Sequence, residues 1–65
     1  MTNYQLAKLE LKEIAIETKN FYINDKPAIR MVINDSIDDI CDEQNLSEYQ
    51  RELLYNYACK LHPKN

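Results

Sequence analysis

Glycine and tryptophan are absent from this 65-residue chain, histidine occurs once, and cysteine and proline occur twice each. Each shortage excludes something. Without glycine no helix can end on the residue that most easily turns left-handed, so Asn20 and Asn24 are expected to take that conformation. Two cysteines allow at most one bridge, too few for a disulfide framework. The opening Met1-Thr2-Asn3-Tyr4 lacks the basic start of a secretory signal. No apolar stretch approaches the ~18 residues a membrane span requires. These absences imply a soluble cytoplasmic protein with no membrane partner. At this length it forms one domain, residues 1–65, and buries only about 60% of its unfolded surface.

Positive charge is also scarce where it would matter most. The net charge is −3, and residues 33–65 set Arg51, Lys60 and Lys64 against seven acids. A nucleic-acid binder needs a basic stripe to neutralise phosphates. This chain shows the reverse, so direct nucleic-acid binding is disfavoured.

What the chain does have is helical periodicity. Ile29, Ile33, Ile37 and Ile40, with Cys41 at the margin, fall on a stripe roughly 80° wide at 100° per residue. The spacing predicts a helix near 27–44, begun by Pro27 in its first turn and capped by Asp25. Its opposite face carries Met31, Asp35, Asp38 and Asp42. From Asp35 to Glu48 there are six acids and no base. Like charges at i,i+4 cost roughly 0.2–0.5 kcal/mol each, and carboxylates near a helix C-terminus oppose its dipole. Either a neighbouring helix supplies basic residues, or the acidic face meets a partner.

An earlier helix near 3–20, with Thr2 or Asn3 as N-cap, collects Tyr4, Ala7, Leu11, Ile14, Ala15 and Thr18 on one face. A second stripe of Leu6, Leu9 and Ile16 lies nearly opposite, interrupted by Glu13. A helix apolar on two sides has two things to bury, so this stripe is a candidate for self-association as a homodimer, unless the monomer covers it. Phe21, Tyr22 and Ile23 read as core plugs in the connection that follows.

A third helix near 47–62 opens on Ser47-Glu48-Tyr49-Gln50, a capping box, and stops before Pro63, leaving Lys64-Asn65 as a frayed tail. Tyr49, Leu53, Leu54, Tyr57 and Leu61 form its expected core face. Arg51, Tyr55 and His62, with Cys59, gather on the other face as exposed candidates for recognition. The fold expected is therefore an all-α, three-helix bundle.

Chemistry is thinly represented. Cys59-x-x-His62 with Cys41 offers three ligands at most, short of a structural zinc site. A Cys/His pair on one exposed helical turn has no pocket and no orienting third group. No cofactor or metal is called for, and the chain reads as no enzyme. Two helices joined by a turn also suggest a helix-turn-helix transcriptional regulator, with Gln50 and Arg51 reading bases, but Glu48 and Glu52 would repel phosphate. Five tyrosines favour protein recognition instead.

Three stretches carry a resemblance. They are Tyr4-Gln5-x-Ala7-Lys8-Leu9-Glu10, Asp25-Lys26-Pro27-Ala28-Ile29-Arg30 running on to Ile33-Asn34-Asp35, and Leu46-Ser47-x-x-Gln50-Arg51-x-Leu53-Leu54-x-Asn56-Tyr57-x-Cys59-x-Leu61-His62-Pro63. Together they resemble the small early accessory proteins of the exo-xis region of lambdoid bacteriophages. The resemblance implies a short helical protein in the host cytoplasm. It would bias lysis–lysogeny development or host physiology by binding a host protein. It supplies no catalytic residues.

Overall fold

The computed structural model describes residues 2–63 and folds them into three helices: α1 (Asn3–Phe21), α2 (Lys26–Gln44) and α3 (Glu48–Leu61). No strand occurs among the described residues. The expected all-α fold is present, with boundaries shifted by one residue at four of six helix ends. Met1 and the Lys64-Asn65 tail lie outside the described residues.

Local chemistry starts and stops each helix. Thr2 caps α1 through a box in which Gln5 N–H donates to Thr2 Oγ1 (3.2 Å) and Thr2 N–H donates to Gln5 Oε1 (2.9 Å). Asp25 accepts from Ala28 N–H at 3.3 Å, ahead of Pro27 in the first turn of α2. The Ser47–Gln50 box opens α3 as expected. Left-handed backbone falls at Asn24 (φ 67°) and Asn45 (φ 54°). Asn20 stays inside α1 instead, and Asn45 does the work of the missing glycine at the end of α2. There Leu46 N–H reaches back to Cys41 C=O at 3.0 Å, and Leu46 packs against the core.

The three helices alternate in direction. Asn3 Nδ2 donates to Gln44 C=O (3.1 Å), tying the start of α1 to the end of α2. At the other end of the 33 Å long molecule, Arg30 Nη2 reaches Pro63 C=O at 3.5 Å. The core lies along the shared axis: Ala7, Leu11 and Ala15 from α1, the four isoleucines and Cys41 from α2, Leu54 and Ala58 from α3. Small side chains on α1 and α3 let both helices approach the isoleucine ridge of α2 closely. Thr18 is buried but satisfied, its hydroxyl donating to Ile14 C=O at 2.6 Å.

Three expected core residues are exposed, and a fourth, Leu53, is only half-buried. Phe21 and Ile23 are 78% and 75% exposed, and only Tyr22 packs inward. Tyr22 follows Thr18 by one turn and inherits its inward direction, whereas the 100° step sends Phe21 sideways. Tyr49 is 70% exposed because five residues place it roughly 140° around α3 from Leu54. Ala58, one turn beyond Leu54, takes the inward position instead.

Candidate interaction surfaces

The outer face of α2 is built as the periodicity required. Met31 is 60% exposed, and Asp35, Asp38 and Asp42 are all exposed along the same side. Part of their charge is answered within the fold. Arg51 leaves the first turns of α3 on the flank facing α2 and places Nη1 2.6 Å from Asp38 Oδ1. Its Nη2 lies 3.7 Å from Asp42 Oδ1. Among the described residues no cation comes within ion-pairing distance of Asp35 or Asp39. The compensation therefore reaches Asp38 and Asp42 and leaves Asp35 and Asp39 uncovered.

The trio Arg51, Tyr55 and His62 is not a single site. Arg51 and His62 lie eleven residues apart, about 16 Å along the helix. Both turn towards α2, but onto different partners. His62 Nε2 lies 3.1 Å from Asn34 Oδ1. Burial, then the positive charges of Arg30 and Lys19, holds its imidazole below its ordinary pKa. Tyr55 is left 42% exposed between them. Cys41 is in the core, where burial chiefly raises its thiol pKa, and Cys59 is exposed. Among the described residues no three His, Cys, Asp or Glu side chains converge as metal ligands.

The side chains offered for base reading are both engaged. Gln50 Oε1 closes the α3 cap, and Arg51 is paired with Asp38. No helix among the described residues is long and apolar enough to cross a membrane.

The second stripe of α1 is uncovered in the monomer. Leu6, Leu9 and Ile16 are 42%, 48% and 52% exposed. A shallow groove runs beside it between α1 and α3, lined by Gln5, Lys8, Leu9, Lys12 and Tyr57. Lys8 Nζ sits 4.8 Å from the Tyr57 ring centroid and 5.7 Å from that of Tyr4, so its charge is held against aromatic faces.

Two features were not read from the sequence. Glu10 of α1 meets Glu43 of α2, and its carboxyl pKa is raised. Burial is the largest cause, followed by the charge of Glu43, a hydrogen bond shared with it and the charge of Glu13. Charge is also polarised along the bundle. The end holding the α2–α3 turn and the start of α1 carries Glu10, Asp38, Asp39, Asp42, Glu43, Glu48 and Glu52 against Lys8 and Arg51, while at the other end Lys19, Lys26, Arg30 and Lys60 outnumber Glu17 and Asp25. Within α2 the polarity already runs from Lys26 and Arg30 to Asp42 and Glu43, and the reversed direction of α3 sets its acidic start beside the acidic end of α2.

No protein-family model matches the chain, and no curated protein or solved structure is significantly similar to it.

Proposed function

We propose that this chain is a non-enzymatic regulatory protein that binds a second, positively charged protein through the outer face of α2. One observation carries the reading: Asp35, one turn from Met31, and Asp39 beyond it stand exposed with no ion-pair partner among the described residues after Arg51 has been used on Asp38 and Asp42. Like charges massed on a helix reduce its stability, and a basic partner would turn that cost into complementarity and a faster encounter. Met31 supplies an adaptable apolar contact at the edge of the charge. The resemblance to exo-xis accessory proteins adds a setting, the cytoplasm of an infected host, and a consequence, a bias in lysis–lysogeny development or host physiology. A helix-turn-helix reading is weaker, because Gln50 and Arg51 are both committed within the fold.

The test is affinity capture from lysate of the infected host, comparing the native chain with an Asp35→Asn/Asp39→Asn variant and a Met31→Ser variant. The variants are expected to lose the captured partner, and added salt to weaken capture by the native chain. Equal recovery of one host protein by all three chains would rule out this face.

A further inference from the structure

We propose that α1 pairs with α1 of a second copy, the two helices lying parallel and in register along the Leu6/Leu9/Ile16 stripe. The inference is independent of the acidic-face reading, since no residue of α2 takes part.

Three observations select this occupant. The stripe is apolar and uncovered, with Leu9 and Ile16 seven residues apart and Leu6 one turn ahead of Leu9. In heptad terms Leu9 and Ile16 fall at d, and Leu6, Glu13 and Asn20 at a. The flanks then differ in sign: Lys12 and Lys19 stand at g along one edge, and Glu17 stands at e along the other. All three are exposed, and none has an ion-pair partner among the described residues. Within the monomer this layout brings no gain, because Glu13 and Glu17 repel at i,i+4, as do Lys8 and Lys12.

Symmetry gives the layout a purpose. A two-fold axis running along the helices sets each edge against the opposite edge of the partner. Lys12 then meets the second copy's Glu17, and the reverse, as g meets e in a parallel coiled coil. An axis perpendicular to the helices would set lysine against lysine and glutamate against glutamate. Asn20 adds a second preference for the parallel arrangement, since two asparagines at one a layer can bond each other only in register. Glu13 opposes the pairing, meeting its own copy across the seam. The dimer is accordingly weak, reversible and improvable at that one position.

Sedimentation equilibrium of the intact chain across micromolar to millimolar concentrations tests the pairing. A reversible dimer is expected, lost in Leu9→Glu and Ile16→Glu. Lys12→Glu or Glu17→Lys alone should weaken it roughly tenfold, and the two together should restore it. Glu13→Leu should tighten association at least tenfold, a gain that misfolding does not mimic. Orientation is read by oxidation of Ile16→Cys in a Cys59→Ser background, where parallel pairing gives a disulfide-linked homodimer. A chain that stays monomeric, with Glu13→Leu monomeric as well, overturns the proposal. So does a cross-link formed only when Ile16→Cys is mixed with Leu9→Cys, the mark of an antiparallel pair. Asp35→Asn/Asp39→Asn should leave the dimer unchanged, which keeps this test separate from the partner-binding one.

Discussion

Glu10 and His62 make the stability of this fold respond to pH in opposite directions. Glu10 is held above its ordinary pKa in the folded chain, so the folded state keeps a proton that the unfolded state has already released. Stability from this group therefore increases as pH falls from neutral towards the carboxylate range. His62 is held below 6.5, so the unfolded chain takes up the proton first, and stability is lost as pH falls through and below that value. Thermal denaturation at pH 7 and pH 5 separates the two. Glu10→Gln should stabilise the chain at pH 7 by roughly 0.2–0.5 kcal/mol, the size of a surface like-charge contact, and abolish the gain on acidification. His62→Gln should remove the acid-side loss and leave the Glu10 gain in view. Core positions respond on another scale. Leu54→Ala should cost about 2–5 kcal/mol, enough to unfold most molecules of so short a chain, whereas Tyr49→Ala should stay within about 0.5 kcal/mol. The contrast is informative because both residues were expected in the core. Composition alone ranks Tyr49 above Ala58, but the 100° step ranks them the other way, and the step decides.

At the scale of the helix, the chain's punctuation was written in short-range chemistry and was legible for that reason. Thr2, Asp25 and Ser47 each accept from the amide three residues ahead, so no knowledge of packing was needed to place them. Ser47→Ala should cost about 1 kcal/mol, lowering the melting temperature by roughly 4–8 °C, because it removes the hydroxyl that accepts from Gln50 N–H in the capping box. Asn45→Ala should cost a similar amount, about 1–2 kcal/mol, since the left-handed φ of 54° that asparagine visits readily sets the alanine Cβ against the following carbonyl. Asn45→Gly should be close to neutral, and a large loss in that variant would show that the side chain, rather than the backbone conformation, matters. Connections were less legible. Phe21, Tyr22 and Ile23 are equally apolar, and nothing local says which of three successive directions points inward. The answer depends on where α1 stops, one residue later than its composition suggested. The faces proposed for recognition were legible as faces. Their pairing was not: Arg51 with Asp38 and Glu10 with Glu43 depend on how neighbouring helices sit, which periodicity within one helix does not contain.

At the scale of the whole molecule, the polarity of charge bears on how two copies meet. Parallel pairing through α1 brings two acidic ends to the same side, and antiparallel pairing would cross acidic with basic. The long-range field thus opposes the arrangement that the flanking residues favour, and distance decides between them. Apart from Glu43, which stands beside Glu10 of α1, the acidic side chains of α2 and α3 lie across the bundle from the exposed stripe of α1. Adding one interhelical spacing of about 8–10 Å within each copy and another between copies separates the two acidic clusters by well over 20 Å. At 0.15 M ionic strength the Debye length is about 8 Å, so little of that repulsion survives, while Lys12 and Glu17 of opposite copies stand within reach of each other. At 0.01 M the screening length grows to about 30 Å and the acidic ends are felt in full. The dimer should therefore tighten as salt rises from 0.01 M to 0.15 M, and change little above that as the short-range pairs are gradually screened. Sedimentation equilibrium at the two salt concentrations measures the effect. An antiparallel dimer would weaken over the same range, so the sign of the salt dependence reports the orientation of the helices without any substitution at all.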